Sequence, residues 1–138
     1  MEIIVESYKM NWYKKANGDF TIQDVQVNET ANAGGQPLIR FEIPNVGGVE
    51  INEWKGVYIL DDMDVSEQYR RRGIGTLLLQ AVKNYANMKG KKVQLTPISY
   101  EPENLSNEDL SQYYQKSGFV PLNNGQTHTY DPNAVGDE

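Results

Sequence analysis

The stretch QYRRRGIGTLL, Gln68 to Leu78, sets three consecutive arginines, Arg70, Arg71 and Arg72, directly before a Gly-Ile-Gly turn. An apolar helical pattern then begins at once. Ile74, Leu77, Leu78, Ala81, Val82 and Tyr85 recur at helical spacing, one stripe facing a core, and predict a helix over 74–88. Gly90 stands where a left-handed C-cap belongs, and Lys89, Lys91 and Lys92 suit the negative end of the helix dipole. Just before the arginines, 56–65 reads as a strand. Strand, glycine turn and helix start together make an anion seat, because the first helical N–H groups lack partners and the dipole adds positive charge. Gly73 and Gly75 let the backbone come close to an anion where a Cβ would obstruct it. The turn is not a dinucleotide fingerprint, since Leu78 occupies the place of the third glycine. It is not a Walker A loop either, since no Gly-Lys-Ser/Thr follows. Taken alone, Arg-x-x-Gly-x-Gly fits a purely structural helix entry equally well.

The charge around this stretch narrows the choice. The chain has 138 residues and a formal net charge of −6, with 13 basic and 19 acidic side chains. Seven of the basic ones (Arg70, Arg71, Arg72, Lys83, Lys89, Lys91 and Lys92) fall between Tyr69 and Lys92, where there is no Asp or Glu. A local cationic patch in an acidic protein suits a compact polyanion, and the overall charge argues against a nucleic-acid track. With no cysteine and one histidine, His128, thiolate chemistry and His-rich metal sites are excluded, and no metal is expected. Glu2 and Glu6 interrupt the apolar run at the N-terminus, which does not read as a signal peptide. No window is long and apolar enough for a membrane span, so no membrane partner is expected and the expected location is cytoplasmic. The length fits one domain, 1–130, followed by a polar, frayed tail, 131–138.

The first sixty residues read mainly as strands: 2–10, then a run in which Phe20 and Ile22, and after a change of phase Val25 and Val27, alternate as in a bulged strand. Asn17-Gly18 is a hairpin signal. Ile39, Phe41 and Ile43 give a third strand ended by Pro44, with Gly47-Gly48 read as the loop after it. Beyond Gly90 come a short strand, 92–96, and a second helix opened by the capping-box-like Ser106-Asn-Glu-Asp. That helix runs to Gly118. A terminal hairpin, 119–130, turns at Asn123-Asn124-Gly125. The arrangement is α+β: a mixed, mainly antiparallel sheet with about two main helices.

Val65 to Leu78 resembles the acetyl-CoA-binding signature of the GNAT N-acetyltransferase superfamily: a strand, Arg/Gln-x-x-Gly-x-Gly/Ala, and an amphipathic helix. About forty residues on, Asn107-x-x-Leu110-x-x-x-Tyr114-x-x-x-Gly118-Phe119 is similar to the family's helix-and-strand motif. The resemblance spans roughly 58–130 with both motifs in order, and it implies a GNAT-like fold and transfer of acetyl from acetyl-CoA to a primary amine by direct attack. It further implies roles. Arg70 would open the motif, and the amides of Arg71, Arg72, Gly73, Ile74, Gly75 and Thr76 would hold the pyrophosphate. The pantetheine arm would lie against Met63, Asp64 and Val65, with the Val65 N–H polarising the thioester carbonyl. Asn107 would contact the pantetheine region, and Tyr114 would protonate the departing thiolate.

A general base must deprotonate the incoming ammonium, directly or through water, and the acidic group Asp61, Asp62 and Asp64 offers candidates; simple alternation would put Asp61 with Ile59, Met63 and Val65, and Asp62 with Asp64 on the other face. Tyr113 competes with Tyr114 for the acid's place, but the spacing to Gly118 favours Tyr114. His128 reads as a packing or surface residue; Trp12 and Trp54 read as bordering a substrate pocket or, as the simpler choice, as buried in a core or interface. The chain departs from the family where the usual N-terminal helix pair would lie, since 10–20 is too short for it, and at an extended 97–105 segment. Both departures concern the acceptor side. The acidic surroundings suit a cationic amine: a small molecule, a peptide N-terminus or a lysine. The family's dimers make a homodimer an expectation. The rival reading is a non-catalytic CoA-binding or acidic protein-interaction module on the same fold.

Overall fold

A computed structural model describes residues 20–69, 72–97 and 106–135. The expected strand at 2–10, the Asn17-Gly18 turn, Trp12 and most of 97–105 lie outside them. In chain order the elements are β1 (Gln26–Ala31), β2 (Pro37–Ile43), β3 (Gly47–Trp54), β4 (Val57–Val65), α1 (Ile74–Lys89), β5 (Val93–Leu95), α2 (Asn107–Lys116), β6 (Val120–Pro121), β7 (His128–Tyr130) and a single helical turn, α3 (Pro132–Val135). The described strands form one seven-stranded sheet, ordered β1-β2-β3-β4-β5-β7-β6. Only β4 and β5 run parallel, which is what an α1 crossover between them requires.

Residues Ile39, Phe41, Val49 and Ile51 line one face, with Ile39 opposite Ile51 and Phe41 opposite Val49. All four are buried, and α1 closes over them with Ile74, Leu78, Leu79, Val82, Tyr85 and Ala86. The apolar stripe of α1 meets the apolar face of the sheet, each such side chain contributing on the order of 1.5–3 kcal/mol on burial. Phe41 and Tyr85 meet edge to face at 5.5 Å. On β7, Tyr130 bonds Asn87 of α1 and His128 bonds Ser111 of α2. Residues two apart on a strand share a face, so both helices cover the same side.

Three local readings are corrected. Ile22–Asp24 is a 3-10 turn, not part of a bulged strand. The Asp24 carboxylate accepts from Thr21 N at 2.8 Å and Thr21 Oγ1 accepts from Gln23 N at 3.3 Å, so local side-chain bonds displace the ladder. Gly47 and Gly48 begin β3 instead of forming a loop. A Cβ on Gly47 would come within 2.7 Å of Asp64 O, so the glycine permits the close pairing of β3 with the end of β4. Trp54 is 53% exposed at the hairpin, not buried in the core. The turn after it, Lys55-Gly56, has φ of 51° and 84° at its two residues, the primed geometry that matches strand twist.

Candidate cofactor and active site

Gly73 is the N-cap of α1 at φ 81°, in the left-handed region that favours glycine, and among the described residues no side chain caps the helix there. Among the described residues a Cβ on Gly73 would meet nothing within 4 Å, so none of them fills the space before the helix. The first turn contains no acidic residue. The amides of Ile74, Gly75 and Thr76 precede the first intrahelical donor, Leu77 N, which bonds Gly73 O at 3.0 Å. A pyrophosphate fits such a start: bare donors, positive dipole, open approach and Arg72 alongside, its guanidinium over the Tyr69 ring at 5.9 Å. Arg70 and Arg71 lie outside the described residues.

The strand beside this turn supplies the second half of the site. β4 pairs with β5 only at Tyr58 and Ile59 and then leaves it, so residues 60–65 have no β5 partner among the described residues. On its other side β4 stays with β3 as far as Val65, opposite Gly47. Within that pairing Glu50 faces Asp62 and Ile51 faces Leu60, which leaves Asp61 as the extra residue of a bulge. The bulge corrects the expected alternation. Leu60, Met63 and Val65 pack against the core, while Asp61 is exposed and accepts a hydrogen bond from the Asn52 side chain. Although exposed to solvent on one side, Asp61 is partly desolvated by its neighbours, which pushes its carboxyl above the usual carboxylate range; the Asn52 bond opposes this, and the neighbouring Asp62 charge adds to it. Asp62 and Asp64 are exposed on the face away from the helices. That face also carries Arg40, within 3.4 Å of Glu50, 3.8 Å of Glu42 and 4.0 Å of Asp64.

The two tyrosines of α2 come from the helical side. Tyr114 is buried, edge-on to Phe119 at 5.9 Å and to Tyr113 at 5.3 Å. Burial, with Tyr113 adding to it, pushes its phenol up to about 12. Tyr113 is half-buried, and its Oη lies 3.0 Å from Thr76 Oγ1 in the first turn of α1. Burial raises its phenol as well, against the lowering effect of the Thr76 bond. A Cβ on Gly75 would stand 3.1 Å from Tyr113 Oη and 3.6 Å from Met63 Sδ, so turn, strand and α2 converge on this glycine. Asn107 is the first residue of α2, behind the Ser106 cap.

The sequence offers no sign of Asn52, which holds Asp61, and presents Tyr113 only as a rival of Tyr114, not as the side chain whose hydroxyl reaches the turn. The missing side chain of Gly75 was the available signal for Tyr113. His128 is 1% exposed, its Nε2 2.7 Å from Ser111 Oγ and its Nδ1 2.9 Å from Gln126 O, a satisfied packing residue. Among the described residues no cluster of His, Cys, Asp and Glu could hold a metal, and no helix is long and apolar enough to cross a membrane.

Residues 38–121 match the family model for the acetyltransferase (GNAT) domain. Among solved structures the chain is similar to the anti-CRISPR protein AcrVA5, at 22% identity and TM-score 0.59 over 68% of this chain and 98% of that one. It is also similar to the PaiA N-acetyltransferase from Thermoplasma acidophilum in complex with coenzyme A. That match has 16% identity and TM-score 0.51, over 68% of this chain and 59% of that one. No curated protein sequence matches. At these identities the structures speak for the fold alone, while the family model takes in the splayed β4, the bare start of α1 and the Tyr114 helix, well over half of the chain. The chain belongs to the GNAT acetyltransferase family, whose acetyl donor is acetyl-CoA.

Proposed function

We propose that the protein is an N-acetyltransferase that moves acetyl from acetyl-CoA to a cationic primary amine by direct attack. The observation that carries the reading is the uncapped α1 start beside the strand β4 that has left β5. The amides of Ile74, Gly75 and Thr76, with Arg72, hold the pyrophosphate, and the β4 end at Met63, Asp64 and Val65 flanks the arm. Acetyl-CoA, when bound, supplies the activated acetyl group.

Tyr114 donates a proton to the departing thiolate. A phenol held near 12 stays protonated throughout the physiological range, so the donor is always loaded. Asp61 takes the proton of the incoming ammonium, directly or through water, with Asp62 next to it. Its raised pKa, caused first by burial, makes it a better proton acceptor than an ordinary surface carboxylate. Glu42, Glu50 and Asp64 around Arg40, with Asp62 exposed on the same face, favour an approaching cation over a neutral amine.

The test is mass spectrometry of products after incubation with acetyl-CoA and a panel of polyamines, lysine peptides and neutral amines. The expected result is acetylation of cationic amines, with kcat lowered about a hundredfold or more in Tyr114→Phe. Acetylation of neutral amines alone would sink the acceptor assignment. A wild type that binds acetyl-CoA yet acetylates nothing would leave the non-catalytic CoA-binding module as the reading.

A further inference from the structure

Tyr113 is not the tyrosine that the family motif selects, yet it is the one whose hydroxyl meets the first turn of α1. Its Oη and Thr76 Oγ1 are 3.0 Å apart. Two hydroxyls carry two hydrogens, and one lies between the oxygens whichever of them donates, so the other is left over. Among the described residues neither hydroxyl makes a second hydrogen bond. Tyr113 Oη lies over Gly75, where a Cβ would press within 3.1 Å of it and 3.6 Å of Met63 Sδ at the end of β4. Thr76 is the third residue of α1, so the pair lies among the amides that face an anion. A phenol is a stronger acid than an alkanol and hence the better donor to an anion. The favoured order is therefore Thr76 donating to Tyr113 and Tyr113 donating outward, each bond polarising the next.

We propose that Tyr113, oriented by Thr76, donates a hydrogen bond to the pyrophosphate of CoA, a side-chain contact added to the backbone amides of the turn. The inference rests on the acetyl-CoA reading of the α1 start. It divides the two tyrosines of α2 between two tasks: Tyr113 binds the cofactor and Tyr114 serves the leaving group. The glycine at 75 then has a second reason to be a glycine, because a Cβ there would press on the Tyr113 hydroxyl at 3.1 Å.

The experiment measures Kd for CoA by calorimetry and for ADP, which carries the pyrophosphate without the arm, by displacement of CoA. Both are measured on wild type, Tyr113→Phe, Thr76→Val, Thr76→Ser and the Tyr113→Phe/Thr76→Val double variant. A hydrogen bond to a charged acceptor predicts about tenfold weaker binding of both CoA and ADP in Tyr113→Phe. Thr76→Val loses only the orientation and weakens binding a few-fold. The double variant matches Tyr113→Phe, and Thr76→Ser matches wild type. In turnover, KM for acetyl-CoA rises in Tyr113→Phe while kcat holds, whereas a merely loosened α2 would lower kcat through Tyr114. Unchanged CoA binding in Tyr113→Phe, weaker CoA with unchanged ADP, or a fall in kcat at constant KM would each overturn the proposal. A wild type that binds neither ligand would instead overturn the cofactor reading beneath it.

Discussion

Helix α1 begins at Gly73 with no side-chain cap among the described residues and no acidic residue in its first turn, behind a run of arginines. Helix α2 begins at Ser106 with a complete capping box: Ser106 Oγ accepts from Asp109 N at 3.0 Å, and the Asp109 carboxylate accepts from Ser106 N at 3.1 Å. Glu108 adds a second negative charge there. Both helices present the same partial positive charge at the same kind of terminus. In α2 the chain satisfies two of its terminal amides, those of Ser106 and Asp109, with its own side chains. In α1 no described side chain does the same, which costs stability unless something else binds. The difference teaches that an uncapped helix start is informative mainly beside a capped one in the same molecule, because it shows where the sequence withholds a device it uses elsewhere.

Converting one start into the other tests the comparison, and the largest effect is expected from giving α1 a carboxylate. Gly73→Glu places a negative side chain in the space before the helix and forces a non-glycine residue into the left-handed region, a strain of about 1 kcal/mol. Acetyl-CoA affinity measured by calorimetry falls by about a hundredfold or more, while the far-ultraviolet dichroism of the folded protein is retained.

Next in size is the alkaline response of α2. Tyr114 has its phenol pushed up to about 12 by burial, against about 10 in an unfolded chain. Between those two values the native state holds a proton that the unfolded state has lost. Stability from this group is therefore complete below pH 10 and falls as pH rises toward 12, by at most about 1.4 kcal/mol per pH unit. Urea unfolding across that window shows a shallower decline in Tyr114→Phe than in wild type.

A smaller change probes the crowded glycine. Gly75→Ala puts a methyl 3.1 Å from Tyr113 Oη and pushes that hydroxyl aside, weakening acetyl-CoA binding about tenfold in the same calorimetric assay. The smallest effect falls on the capped helix. Ser106→Ala removes the α2 cap and lowers the unfolding free energy by about 1 kcal/mol, with acetyl-CoA affinity unchanged. A Ser106→Ala that weakened the cofactor as strongly as Gly75→Ala would break the contrast between the two starts.

What was legible in the sequence was what local chemistry decides. The α1 stripe, its Gly90 C-cap at φ 71°, the Ser106 cap and the hairpin around Asn123-Asn124-Gly125 all depend on residues a few positions apart, and all appear as read. What escaped depends on partners far along the chain. Gly47 and Gly48 look like a loop until β4 and Arg40 are set against them. Asp61 looks like a member of an alternating strand until the shift at Glu50/Ile51 makes it a bulge. In the site the same division holds. The glycine turn and Tyr114 carried a recognisable spacing, whereas Tyr113 and Asn52 gain their roles only from Thr76, thirty-seven residues away, and from Asp61, nine residues away across a hairpin.

The most direct test of the central claim is calorimetric titration of acetyl-CoA into wild type, Gly73→Glu and Ser106→Ala side by side. The account predicts saturable binding to wild type and to Ser106→Ala with the same affinity, and its loss in Gly73→Glu. Equal binding by Gly73→Glu and wild type, or no binding by wild type, would contradict it.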